Sequence, residues 1–341
     1  MKKLAACFAT LLAIVCCSTS HAEVKVTDVL TGLDNPCGVA IQPGTGHVFV
    51  ADSGAKRVIR VVDGKAEDVI CDFPVDVYGK GPKYNIGPLG IAFLDENTLV
   101  VGGGGFIDDK ELLRVYKVPA AGKPAIKADK MAASFTLPAN EDLKAEGNYY
   151  GIAVTETAIF VTCNGDDTKG WIAKADRKGD KVMNFRRFIA TKEATELDAP
   201  VAITINPRGH VVVGQMGEIT VPEDSLLTFY NAKKGKMLLN LETGLYDITG
   251  LAYSPGDKSQ LYALDFAWMK RDPDSGQNSE AGLFHIVANR KNKQSAKVKK
   301  VIGLNQPTAM AFAEDGTLYV TLGNDQSTEK TGKLVKIDLG K

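Results

Sequence analysis

Charge of one sign is the first thing this chain lacks. Acidic and basic residues stand at 41 each among 341, so nothing draws the molecule as a whole to nucleic acid or to an anionic membrane. Histidine is scarce, at four residues, with neither a metal-type pair nor a Ser-His-Asp order. The cysteines show no CxxC, no CxxCH and no zinc-like spacing, which removes redox-motif, haem-attachment and zinc-module readings. Past the N-terminal stretch, no apolar run is long enough to span a bilayer. "GGGG" at Gly102 to Gly105 lacks the lysine and hydroxyl residue of a phosphate loop, and is expected to permit close backbone approach.

The first residues have the order of an export signal. Lys2 and Lys3 precede an apolar run from Leu4 to Cys17, and Ser20-His21-Ala22 offers small residues at a cleavage site. Residues 1–22 are therefore expected to be a secretory leader and 23–341 the mature chain, secreted or periplasmic. A lipoprotein is less favoured, because Val15 and Cys16 precede Cys16 and Cys17 where a small residue is wanted. Cys37, Cys71 and Cys163 remain after cleavage. Their odd count leaves at least one thiol unpaired in a monomer.

What the sequence does have is repetition. An apolar-Ala-apolar triplet recurs at Ala40, Ala92, Ala153, Ala202, Ala252 and Ala311, at intervals of about 50 to 60 residues. A short turn follows each, then a second apolar run such as Val48-Phe49-Val50 or Val211-Val212-Val213. These β-branched and aromatic runs, bounded by Gly, Pro, Asn and Asp, read as strands. Four strands per unit is the pattern of a propeller blade. The recurrent alanines are expected where inner strands crowd the axis. The sixth unit lacks an outer strand, and Val24 to Leu30 alternates as an edge strand should. The expectation is an all-β, six-bladed β-propeller forming one domain over 23–341, its ring closed by the N-terminal strand completing the last blade.

"PCGVAIQPGTGHVFVADSGAKRVIRV" resembles an NHL repeat, with its Pro-x-Gly-apolar-Ala start, its turn, its Ala-Asp end and its Arg-apolar strand. The wider resemblance is to propellers of the gluconolactonase and strictosidine-synthase-like group. In the NHL pattern the residue matching Asp52 orders the following turn and the one matching Arg57 ties the third strand. Gluconolactonase-type enzymes place Asn or Asp before the Gly of some inner strands as metal ligands. Here those positions hold Cys37, Leu89, Tyr150 and Thr249, so no ligand carries over.

Loops between second and third strands share a face with blade-to-blade loops. On that face they are long, for example Asp72 to Pro88 and Asp265 to Ala281, and hold more than twice as many acidic as basic residues. An acidic face favours cations or basic partners. Near the channel mouth, one per blade, stand Asn35, Asn85, Asn148, Asp198, Asp247 and Asn305. Of these Asn35, Asn148, Asp198 and Asp247 are candidate ligands for calcium, though Asn and Asp also start turns. Tyr149, Asn164, Asp265 and Trp268 are candidates for contact with a ligand on that face. "DPDSGQNSE" from Asp272 spaces oxygens like part of a calcium loop, with its glycine one place early. These features suggest a monomeric binding or interaction scaffold that holds an unknown protein or small molecule on its acidic face, with no nucleic acid. The alternative is a calcium-assisted hydrolase or lactonase.

Overall fold

A computed structural model describes residues 23–79, 83–165, 169–197, 199–289, 291–325 and 329–340. The expected leader and Asp198 lie outside the described residues. No helix among them is long and apolar enough to cross a membrane. Six antiparallel sheets stand around one axis, together with a small hairpin, Asp76–Tyr78 with Tyr84–Ile86. The inner strands are Pro36–Ile41, Pro88–Asp95, Tyr149–Val154, Pro200–Ile205, Ile248–Tyr253 and Pro307–Phe312. Each packs on the next, and the sixth packs on the first.

Burial follows from this geometry. Every blade is sandwiched between two others, so its second strand has no solvent face. Val48–Asp52, Ala158–Cys163 and Leu261–Asp265 are buried at every residue. Such strands read as continuous apolar runs rather than alternating ones. The ring closes as the sequence implies. Lys25–Leu33 pairs antiparallel with Gly332–Asp338, Val26 opposite Ile337, and supplies the sixth blade's outer strand. The second blade lends Ile126–Lys127 to the first, in parallel beside Ile70 and Cys71. That segment covers an otherwise open edge.

The tightest contact lies two residues before the recurrent alanine. A Cβ on Gly38 would stand 2.3 Å from the Leu89 carbonyl oxygen, on Gly90 1.8 Å from that of Tyr150, and on Gly151 2.4 Å from that of Val201. Strand register puts Ala202 opposite Gly214 as Gly38 is opposite Ala51, and Ala309 opposite Thr321 in the same way. The fourth blade's triplet is thus offset by two. Ala202 corresponds to Gly38, and Thr204 stands where Ala40 would. The crowding expected at the alanines is met here by glycine or alanine.

All six inner strands shift register immediately after their first residue. These bulges involve Cys37, Leu89, Tyr150, Val201, Thr249 and Thr308, and a bulge re-aims its side chain. Four strands start on proline, which forfeits no ladder bond at a first position. The run of glycines behaves as expected. A Cβ on Gly102 would meet the Tyr149 carbonyl oxygen at 2.0 Å, and one on Gly105 that of Pro74 at 2.0 Å.

Gly90→Ala is expected to cost about 3 kcal/mol or more, since both sides of the clash are backbone. Gly303→Ala, with nothing near its added methyl, should stay within about 1 kcal/mol. Urea denaturation of the two variants checks this. Equal midpoints would remove the close-approach argument.

Candidate functional site

The mouth of the channel is set by the residue before each inner strand. These are Asn35, Gly87, Asn148, Ala199, Asp247 and Gln306. Four enter in the left-handed region, with φ of 49° at Asn35, 46° at Asn148, 52° at Ala199 and 49° at Gln306. Asparagine tolerates that conformation better than most residues, which explains its presence there. Asn85 and Asn305 sit one or two residues further back, so the six oxygens read from the sequence do not stand in equivalent positions. The backbone N–H of Asn35 donates to Asn324 Oδ1 at 2.9 Å, and the Asn148 side-chain amide donates to the Asn164 carbonyl at 3.1 Å.

Below the mouth the channel is crossed. The Tyr150 hydroxyl, from the third blade, donates to the Thr308 carbonyl of the opposite sixth blade at 3.2 Å. Thr249 and Thr308 use their hydroxyls to reach the next strand's carbonyls, Pro307 at 2.8 Å and Pro36 at 2.6 Å. The remaining cavity is small, ≈ 80 Å³, and Cys37, Tyr150, Val201 and Thr249 help to line it. Burial pushes the Cys37 thiol up to about 12, so it is protonated at neutral pH and is no nucleophile. The three described cysteines are free.

The channel tier presents a thiol, a phenol, hydroxyls and apolar groups where a hard cation needs carboxylates and carbonyls. Among the described residues no three His, Cys, Asp or Glu gather to hold a metal. The run from Asp272 is a turn instead: Asp272 Oδ1 accepts the N–H groups of Asp274 and Ser275 and the Ser275 hydroxyl.

Other candidates are placed as follows. Tyr149 is fully buried; its ring packs edge-on against Phe185 and its hydroxyl donates to the Glu146 carbonyl. Asp265 is also buried and accepts three backbone N–H groups, from Tyr246, Asp247 and Ala267. It corresponds to Asp52, which accepts the Asp34 N–H and binds Arg57 at 2.8 Å. Burial raises the carboxyls of both, against the opposing pull of those bonds. Trp268 is half-buried and stacks on Phe266, centroids 5.8 Å apart and planes 16° from parallel.

Trp268 also leads to a buried carboxyl at the mouth. Its backbone N–H donates to Asp247 Oδ2. The other Asp247 oxygen has no hydrogen-bond partner among the described residues. Burial, with Asp265 and Asp224 nearby, raises the Asp247 carboxyl from 3.8 to about 7. On the ring side of Trp268 the Arg271 guanidinium lies 5.9 Å from the ring centre and donates to the Asp325 carbonyl. Asn305 donates to the Asp325 carboxylate. The Tyr84 hydroxyl, carried over the mouth by the Asp76–Ile86 hairpin, feels the charges of Arg271 and Asp325. Tyr84 Oη, Arg271 Nε and Asn305 Oδ1 are all buried with no protein partner among the described residues. Three loops from distant parts of the chain thus converge on one polar spot. Tyr84, Arg271 and Asp325 carry no local motif. Only the coincidence of irregular loops pointed toward them.

Asp247 sets a pH dependence. The native state keeps its proton up to about 7, whereas the unfolded chain releases it near 3.8. Stability from this group is therefore full below about pH 4 and falls as pH rises to about 7. Asp247→Asn should flatten that decline and be the more stable protein at pH 7. Denaturant midpoints between pH 4 and 8 check it, and parallel curves for the two proteins would contradict it.

The sequence matches no protein-family model and no curated protein. Solved structures do share its fold. A gluconolactonase from Xanthomonas campestris aligns at 11% identity with a TM-score of 0.56, over 94% of this chain and 93% of that one. The PQQ-bound aldose sugar dehydrogenase of Streptomyces coelicolor aligns at 14% identity and 0.59, over 93% and 98%. The soluble aldose sugar dehydrogenase of Escherichia coli, in its apo-form, aligns at 14% and 0.58, over 92% and 99%. At these identities the likeness is one of fold: the chain is a six-bladed β-propeller whose structural neighbours include gluconolactonases and aldose sugar dehydrogenases.

Proposed function

We propose that this propeller is an enzyme acting at the long-loop mouth on a small, uncharged, hydroxyl-rich ring compound of the sugar-lactone class. The observation that carries the reading is Asp247, a carboxyl poised near neutrality with one oxygen fixed by Trp268 and the other without a hydrogen-bond partner among the described residues. A group titrating near the working pH is the most effective at moving protons. Phe266 and Trp268 give a stacked aromatic shelf of the kind that supports a sugar ring. Tyr84, Arg271 and Asn305 supply two donors and an acceptor for hydroxyl and carbonyl groups.

Lactone hydrolysis can then run without a metal. The Asp247 carboxylate takes a proton from a water molecule as that water's oxygen bonds to the carbonyl carbon. The carbonyl electron pair moves onto oxygen, where the Arg271 N–H or Tyr84 O–H steadies it. Collapse breaks the ring C–O bond, and Asp247 returns its proton to the departing alkoxide. A second reading, a docking face for another molecule, is favoured by Val77, Tyr78, Phe106 and Ile107, all exposed on the same side.

The test is a panel of γ- and δ-aldonolactones, followed by acid release with the full chain. Turnover is expected, with Asp247→Asn lowering kcat by about 100-fold or more and Trp268→Ala acting mainly on KM. An Asp247→Asn protein as active as the wild type would overturn the assignment. Saturable binding of the panel without turnover would leave the mouth a binding site only and overturn the enzymatic reading.

A further inference from the structure

A second cavity opens on the opposite face, where the turns are short. It lies between the fourth and fifth blades, measures ≈ 530 Å³, and is bounded by Phe229, Leu238, Leu239 and Tyr253, with Arg208 and Lys258 at its rim. That volume is in the usual range for small-molecule sites, about 300 to 1,000 Å³. Leu238 and Leu239 are 47% and 42% exposed, high for adjacent leucines on a soluble surface.

The repeat fixes which residues meet in this wedge. In each wedge between blades, the sixth residue of one inner strand faces the middle of the preceding blade's second strand. Between the first and second blades the pair is Phe93 against Phe49, ring centres 4.8 Å apart. Between the fifth and sixth it is Phe312 against Tyr262, at 5.7 Å. By register the fourth wedge pairs Tyr253 with Val212, since Val212 stands opposite Thr204 as Phe49 stands opposite Ala40. The fourth wedge therefore has a single ring in this pair, as the third and sixth do, where Phe160 stands with Ile205 and Tyr319 with Ile41. The second wedge also has a valine there, Val100, but Arg177 reaches across it to the Leu94 carbonyl. Lys174 crosses the third wedge to the Ala232 carbonyl at 2.9 Å. At the fourth wedge an aromatic ring, Phe229, stands in the place of Lys174, since it lies opposite Val212 as Lys174 lies opposite Phe160, and two cations of the short turns stand at the rim instead. Arg208 and Lys258 are exposed and have no acidic partner among the described residues. Asp257, the carboxylate of the rim turn, is bonded to Ser259 and Gln260.

We propose that this groove binds a small amphipathic anion: a flat or short-chain apolar body lying against Phe229, Leu238, Leu239 and Tyr253, with a carboxylate or sulfonate at its outer end beside Arg208 and Lys258. The apolar lining alone would accept a neutral body, and it is the two unpaired cations that select the anion. The site is separate from the mouth, which lies at the other end of the channel.

Calorimetry with 1-naphthoate and its neutral amide tests the assignment on the full chain. One molecule of 1-naphthoate per chain is expected to bind, at least tenfold more tightly than 1-naphthamide. The Arg208→Ala/Lys258→Ala double variant, altered only at exposed side chains, should reduce that preference to less than twofold. Leu239→Asp should lose both ligands, and Trp268→Ala should lose neither. Equal binding of acid and amide to the wild type, failure of both to bind, or an acid preference that survives in the double variant would each overturn the proposal.

Discussion

The structure depends on how closely neighbouring backbones approach at the axis. No side chain larger than a methyl stands between adjacent inner strands at Gly38, Gly90, Gly151, Ala202, Gly250 and Ala309. That spacing sets the radius of the ring. The radius makes the channel narrow enough for a single phenol, Tyr150, to bridge it. The bulge at each of these points then turns one residue per blade toward the tier that determines what the channel can hold. Chemistry at the mouth is therefore limited by packing. An axis closed by a tyrosine, with a thiol and two threonines in the same tier, leaves reactive groups only on the loops above.

The architecture was largely legible in the sequence because it is built from local pattern repeated six times. Second strands buried on both faces are runs of Val, Ile and Phe, and turns lie where Gly, Pro and Asn cluster. Closure by the N-terminal strand followed from a missing outer strand at the other end. Legibility failed at one-residue resolution. The triplet containing Ala202 looks like the one containing Ala40, yet a two-residue shift exchanges its role with Gly38. Four residues of the bulge tier, Cys37, Leu89, Tyr150 and Thr249, were legible as positions before a glycine, but a bulge has no composition of its own, so Val201 and Thr308 were not.

The mouth was harder for a different reason. Asn35 and Asn148 have the oxygens of cation ligands, and the same side chains suit a left-handed entry into a strand. Sequence cannot separate the two uses, because both want a short polar residue at the same place. Asp265 and Asp52 likewise look available and are consumed by backbone amides. Asp247 was legible as a position but not as an acid with a shifted proton affinity, which arises from burial and neighbouring carboxylates. Tyr84, Arg271 and Asp325 meet only because three loops of unequal length end over the same spot.

The pairing of Lys25–Leu33 with Gly332–Asp338 has a temporal meaning. Of the described strands, Lys25–Leu33 is made before all the others and its partner Gly332–Asp338 after them, so this pairing is among the last that can form. Until then each nascent blade has one neighbour or none, and two raw edges persist at the ends of an open arc. Contacts of this sequence separation make folding slow. The same contact makes the finished ring hard to open from either terminus, since fraying one end requires releasing the other.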